Sequence, residues 1–289
     1  MELTKMRTAT VNHVTLAYEE RGAGEPVVLI HAAPLADFFA PLIDQPALGA
    51  YRLVRYHRRG YAGSSRTGGP VTIKDQAADL AGLLDHLGIE VAHIAGHSYG
   101  GLIALQLALD HPSLVGSLVL MEPALRTRAG GPASQDLSRR MAQGFQRYRA
   151  GDREGAVEGF LDAVFSPGYR EILDRVIPGG WAQGVEDADT FFGVEIPELQ
   201  RWQFGEAEAE LITAPTLSLV GVNSDPAFFE FDEILRVWFP QLESVRVPEV
   251  DHMLHIQRPD LVAAAVAEFF VRHPLTKSRR PGANTKSGS

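Results

Sequence analysis

The chain has 289 residues, 45% of them hydrophobic, enough to bury the core of one large domain, or one domain with an insertion, without covalent staples. It contains no cysteine, which excludes disulfides, thiolate metal sites and a cysteine nucleophile. Its 27 basic and 36 acidic residues give a formal net charge of −9, the wrong sign for a phosphate-backbone binder, so nucleic acid is not an expected partner. The opening MELTKMRTATVNH has no apolar stretch of signal-peptide length, and nowhere do about 18 apolar residues run together. A cytoplasmic protein with no membrane contact is expected.

In chain order, TATVNHVTLAYEERGAGE reads as an antiparallel start with a Gly-rich turn. PVVLI (26–30), RLVRY (52–56), VAHIA (91–95) and LVGSLVLM (114–121) are apolar runs bounded by turn residues, the pattern of strands covered on both faces. Between the second and third of these, TIKDQAADLAGLLDHLG places Leu80, Leu83, Leu84 and Leu87 on one helical stripe. Thr72 and Asp75 form a capping-box pattern at its start, and Gly88 closes it. A second helix, YGGLIALQLALDHP, follows VAHIA directly. Strands alternating with helices argue for an α/β domain with a mostly parallel sheet and helices on both faces. From Pro123 to Ile212 the character changes to helical spacing broken by Gly and Pro, an all-helical insertion. TLSLVG (216–221) and SVRVPEV (244–250) then resume the strands, with PAFFEFDEILRVWF and RPDLVAAAVAEFFVRH as amphipathic helices. The expected division is a core of 1–122 and 213–275, an insertion of 123–212 and a disordered tail of 276–289.

Ser98 stands at the junction of VAHIA with its helix, in Gly96-His97-Ser98-Tyr99-Gly100. A strand turning directly into a helix needs a tight connection, and glycines two residues either side remove side chains that would collide there. The helix start also points free N–H groups, that of Tyr99 among them, at the space above Ser98, where an oxyanion would be stabilised. The pattern can arise by chance among 28 glycines; its strand-before, helix-after context points to a nucleophile. His97 reads as a packed neighbour of the turn.

A serine needs a base to take its proton, and the base needs an anion to fix its tautomer. His252, in VPEVDHMLHIQRPD between the last expected strand and helix, lies at the right sheet edge; His255 is its competitor. For the acid there are two candidates: Asp225, after TLSLVG, and Glu122, at the end of LVGSLVLM. Glu249 and Asp251 read as surface or turn residues.

The Gly96–Gly100 turn, the early LIHAAP, RRGYAGSS at 58–65 and the late DHMLHIQRP together resemble the α/β-hydrolase superfamily, over about residues 8 to 273. The resemblance implies the α/β-hydrolase fold, with the helical insertion as its cap. In that family the elbow serine is followed in the chain by the acid and then the histidine, an order met by Ser98, Glu122 or Asp225, and His252. LIHAAP is similar to the family's oxyanion loop, so the Ala33 N–H is expected to join that of Tyr99, with His31, Ala32 and Pro34 edging the substrate pocket. Two departures stand out: Ala32 occupies a position where the family has glycine, and Ser224 occupies that of the family's usual acid. In haloalkane dehalogenases of the same superfamily the acid can lie where Glu122 is, which favours Glu122. Those enzymes and the epoxide hydrolases attack with an aspartate, unlike this elbow.

Within the cap, Trp181, Phe191 and Trp202 are the candidates to face the pocket, other aromatics forming the cap's own core. RRGYAGSS lacks the lysine and glycine spacing of a P-loop, and Arg58 and Arg59 are expected to tie down its loop. No cluster has metal-ligand spacing, so no cofactor is expected. The reading is a serine esterase or lactonase acting through an acyl-enzyme on a small, partly apolar molecule, with a homodimer left open. The alternatives are a carbon–carbon bond hydrolase, thioesterase or cofactor-free perhydrolase with the same residues, or a non-catalytic ligand receptor of the same fold.

Overall fold

The structure, a computed structural model, describes residues 6–66, 68–125 and 130–275; the expected tail, 276–289, lies outside them. Strands β1 (Arg7–Val11) and β2 (Val14–Arg21) form an antiparallel hairpin across Asn12 and His13, both at positive φ. This two-residue turn closes the hairpin, and the Gly-rich turn follows β2, with Gly22 and Gly24 at positive φ. β3 (Pro26–Ile30), β4 (Arg52–Tyr56), β5 (Ala92–His97), β6 (Val115–Met121), β7 (Thr216–Gly221) and β8 (Glu243–Val247) complete one eight-stranded sheet. Its order is β1-β2-β4-β3-β5-β6-β7-β8, and from β4 onward every neighbouring pair is parallel. β5 runs to His97, longer than its apolar run, because its pairing with β6 continues to Met121.

Helix α1 (Ile73–His86) starts with the capping box read from the sequence: Thr72 Oγ1 accepts from Asp75 N at 3.0 Å and Asp75 Oδ2 from Thr72 N at 2.9 Å. Leu80, Leu83 and Leu84 are fully buried, each worth about 1.5–3 kcal/mol by transfer from water. Helix α2 (Tyr99–Asp110) is buried from Tyr99 to Ala108, so it is apolar all round rather than striped. Between β6 and β7 the described residues contain helices only: α3 (Pro132–Arg149), α4 (Arg153–Val164), α5 (Tyr169–Val176), α6 (Gly180–Glu186), a π-helical segment (Asp189–Glu195), α7 (Ile196–Leu199) and α8 (Glu206–Ala209). α9 (Pro226–Trp238), α10 (Leu254–Gln257) and α11 (Pro259–Arg272) follow in the second half of the sheet.

The core lies on both faces of the sheet. On one, α1, α2 and the inserted helices share a continuous apolar cluster with β3, β5 and β6. On the other, Val262, Val266, Phe269 and Phe270 of α11 pack with Phe39, Leu42 and the remaining strand side chains. Among the described residues no helix is long and apolar enough to cross a membrane.

Candidate active site

Ser98 sits at φ +51° and ψ −114°, outside the regions open to ordinary residues. The surrounding backbone holds it there: Ser98 N donates to Met121 O at 2.9 Å, and Ser98 O accepts from Gly101 N at 3.0 Å and Ala124 N at 3.2 Å. The flanking glycines are required by contact. A Cβ at Gly96 would lie 2.3 Å from Gly100 O, and one at Gly100 would lie 2.1 Å from Ile30 O. Strand, turn and helix can cross this closely only without those side chains, and the crossing leaves the serine at the carboxyl edge of the sheet.

The ends of the next three strands in the sheet meet it there. Glu122 follows β6, Asp225 lies in the loop after β7 and His252 in the loop after β8. His252 Nδ1 donates to Glu122 Oε2 at 2.5 Å, which leaves Nε2 as the ring's acceptor. The other carboxylate oxygen of Glu122 accepts from Gly221 N at 2.7 Å and Ser224 Oγ at 2.5 Å. Glu122 is 1% exposed and its φ is +47°, so it too is held in an uncommon backbone conformation by its neighbours. The imidazole of His252 stacks on Phe228, ring centres 4.0 Å apart. Its carbonyl accepts from His97 Nε2 at 2.9 Å.

Asp225, the alternative acid expected from the sequence, is bonded elsewhere and not to the histidine. Its Oδ1 caps α9 by accepting from Ala227 N at 2.9 Å, and its Oδ2 pairs with Arg140 of α3. Ser224, at the position of the family's usual acid, instead donates to the glutamate that does reach. Asp251, read as a surface or turn residue, is a buried turn residue: it accepts from Met253 N at 2.9 Å and from Ser166 N at 2.8 Å, bracing the His252 loop. Glu249 is exposed.

His255 is not available as a base. It is fully buried, lies flat on Phe39 at 4.6 Å, and neither ring nitrogen has a partner. Burial, with the nearby His252 ring, pushes its imidazole down to about 3, and burial likewise holds His97 well below the usual range. As pH falls, the unfolded chain therefore takes up the proton first. The stability secured by the neutral His255 ring is whole above about pH 6.5 and drains away as the pH falls toward about 3. Between pH 7 and 5, urea unfolding of the wild type should lose about 2 kcal/mol more than that of His255→Leu. Equal losses in the two proteins would contradict this.

Ser98 and His252 line one cavity of about 100 Å³, to which Ala33 and Tyr99 also contribute. Tyr99 opens α2, so its N–H belongs to the first-turn amides that have no intrahelical partner. Ala32 is not at positive φ, so alanine is accommodated where the family has glycine. The rest of the wall is almost wholly apolar. The inner face of α3 supplies Leu137, Met141 and Phe145 at helical spacing, joined by Phe160, Phe191 and Ile196 from elsewhere in the insertion. Phe228 and Phe231 of α9 close the other side. Among the described residues the additional hydroxyls on the wall besides Tyr99's are those of Ser134, which donates to Gly131 O at the N-cap of α3 at 3.0 Å, and Ser138, which donates to Ser134 O at 2.8 Å.

Of the expected pocket residues, Phe191 lines this cavity and five do not. His31 and Ala32 are buried behind it, His31 Nε2 accepting from Arg58 N at 3.0 Å. Pro34 lies under Gly184 of α6. Trp181 faces Arg170, whose guanidinium is 3.3 Å from its ring centre, and its indole N–H reaches Glu154 at 3.4 Å. Trp202 donates to Gln106 Oε1 at 2.7 Å and stacks on Phe204, against α2. Amphipathic spacing marks an aromatic as buried without saying against what. The α3 stripe of Leu137, Met141 and Phe145 has ordinary amphipathic spacing, and nothing local in it names the cavity.

Residues 25–259 match the sequence pattern of the family described as alpha/beta hydrolase fold. The chain is 41% identical over 110 residues to a putative carbamate hydrolase, RutD, of Azorhizobium caulinodans, a match covering 37% of this chain and only 40% of that protein. It is 28% identical over 314 aligned positions, 91% of this chain and 96% of the relative, to epoxide hydrolase A of Mycobacterium tuberculosis. Among solved structures, a thermophilic esterase from Thermogutta terrifontis superposes with a TM-score of 0.77 at 22% identity, covering 93% of this chain and all of that one.

Proposed function

The chain belongs to the alpha/beta hydrolase fold family, and on that premise we propose that it is a serine hydrolase that cleaves a carboxylic ester or lactone of a small, partly apolar substrate through an acyl-enzyme. The observation that carries the reading is the joint placement of Ser98, in its strained turn, and of His252, already paired with Glu122, on the wall of a single apolar cavity.

Ser98 Oγ attacks the carbonyl carbon while His252 Nε2 accepts its proton, and Glu122 steadies the imidazolium. The Tyr99 and Ala33 N–H groups hold the tetrahedral oxyanion, each such donor being worth about 3–4 kcal/mol. His252 protonates the departing alkoxide, and water activated by the same imidazole releases the acid. Within the family, epoxide opening starts from an aspartate, and Ser98 supports acyl transfer instead.

The cavity supports a neutral substrate. Among the described residues, His252 is the one ionisable base on its wall and no carboxylate, ammonium or guanidinium lines it, so a charged acyl group would be desolvated with no partner among them. Apolar cavities of roughly 150 Å³ accept benzene, so about 100 Å³ suits an acyl chain of about four carbons. With p-nitrophenyl esters, kcat/KM is expected to climb about fourfold per methylene from acetyl to about butyryl and then to fall. The hemisuccinate ester should be turned over at least about 30-fold more slowly than the butyrate. A preference for the hemisuccinate would contradict the substrate class. Faster turnover of a thioester or a diketone, or of peroxide with acetate, would redirect the chemistry on the same residues.

A further inference from the structure

The loop RRGYAGSSR, residues 58–66, follows β4 and takes no part in the reaction above. It is nevertheless the seat of one short stretch of the inserted helices. Asp187 accepts from Ala62 N at 3.1 Å and pairs with Arg66 at 2.6 Å. Thr190 Oγ1 donates to Gly60 O at 2.7 Å, and Gly60, at φ +86°, could not carry a Cβ, which would lie 2.5 Å from Thr190 Cγ2. Glu195 accepts from Tyr61 Oη at 2.5 Å, from Gln76 Nε2 at 2.9 Å and from the guanidinium of Arg58, 137 positions away in the chain. Arg58 and Glu195 are each 1% exposed. Arg59 only ties the loop to Asp79 of α1, as the sequence led one to expect; Arg58 does more.

The same Arg58 holds the other wall of the reaction centre. Its Nε donates to His31 O at 3.2 Å and its backbone N–H to His31 Nε2 at 3.0 Å. Burial and the Arg58 charge hold the His31 imidazole well below its usual range, so the ring is neutral, accepting at Nε2 and donating from Nδ1 to Ala32 O at 2.6 Å. His31 stands two residues before Ala33. The guanidinium also lies 4.9 Å from the ring of Tyr99, whose N–H is the second proposed oxyanion donor. On the far side, Glu195 directly precedes Ile196 and follows Phe191 by one turn, both on the cavity wall.

We propose that Arg58 and Glu195 are a positioning pair: one buried guanidinium sets the loop that presents the Ala33 N–H, and, through Glu195, the cavity wall bearing Phe191 and Ile196, in a single register. The inference rests on the acyl-enzyme reading. A buried ion pair is weak evidence for stability, since apolar replacements of similar volume are often neutral. What the guanidinium adds is direction, a planar fork bonded at once to three chain segments, at His31, Gln76 and Glu195. A hydrogen-bond donor displaced from a developing oxyanion forfeits much of what its deletion would, about 10²- to 10³-fold in rate.

The test is a double variant, Arg58→Met with Glu195→Leu, which removes both charges without stranding either. With p-nitrophenyl butyrate, kcat should fall about 100-fold while KM stays within about threefold, because the loss falls on the transition state. Glu195→Asp, charged but shorter, should recover part of that kcat. A folded double variant with wild-type kcat, or with its whole loss in KM, overturns the proposal. Should the double variant not fold, Tyr61→Phe decides: it takes one hydroxyl from Glu195 and leaves the ion pair, and kcat is expected to drop about three- to tenfold at constant KM. An unchanged kcat in that variant overturns the proposal equally. Labelling of Ser98 by a small fluorophosphonate separates the two levels: a wild type that does not label refutes the acyl-enzyme reading, whereas a double variant that labels as fast as a reactive wild type refutes only the pair.

Discussion

Exchange of Ser98 for alanine should lower kcat/KM toward p-nitrophenyl butyrate by at least about 10⁴-fold, with the thermal midpoint moved by only a few degrees. Without the hydroxyl no acyl-enzyme can form, and what remains is the rate that the oxyanion donors and binding give to direct attack by water. The fold should survive, because the turn is fixed by main-chain hydrogen bonds from Ser98 N and to Ser98 O that alanine makes equally well. The φ of +51° is no worse for alanine than for serine. Steady-state kinetics beside a melting curve reads both halves. Residual turnover within tenfold of wild type would mean that another group attacks.

The second large effect separates two carboxylates. Glu122→Gln should reduce kcat by about 10³- to 10⁴-fold, since a neutral amide next to Nδ1 no longer stabilises the imidazolium and tolerates the wrong tautomer. Asp225→Asn should leave kcat within about threefold of wild type. Asparagine still caps α9, and the lost contact with half-exposed Arg140 is a screened, near-surface pair worth no more than about 1 kcal/mol. Equal losses in the two variants would show that the geometry of Glu122 is structural.

What could be read in the sequence was local. The elbow and its glycines are contiguous, and the last strand and helix bracket His252, so both are legible as candidates from their own neighbourhoods. The same holds for the succession of strands and helices along the chain, for the capping box at Thr72 and Asp75 and for the helical spacing between β6 and β7. The sequence does not choose between Glu122 and Asp225, because β6 and β7 are adjacent in the sheet and both end at the same edge; of the two, Glu122 is the one bonded to His252 Nδ1. Ser224 held a clue, a small hydroxyl where the family has a carboxylate, and its bond to Glu122 explains that exchange.

The cavity wall was hardest to read. Trp181 is a buried and Trp202 a partly buried aromatic of the insertion, but an indole N–H wants a partner, and Glu154 and Gln106 draw these rings away from the cavity. The residues that do line it include Leu137, Met141 and Phe145, ordinary members of an amphipathic stripe, and Phe228 and Phe231 of a helix that sequence patterning assigns to covering the sheet. Long-range polar contacts left no local trace at all. Nothing in RRGYAGSS points to Glu195, and His255 resembles a second base until its burial against Phe39 is seen.

The most direct test of the account is the intact mass of the wild type and of Ser98→Ala after timed exposure to a small fluorophosphonate. A serine activated by His252 and Glu122 should give one adduct on the wild type within minutes and none on the variant. A wild type that stays unlabelled, or a variant that labels as fast, would contradict a nucleophilic Ser98.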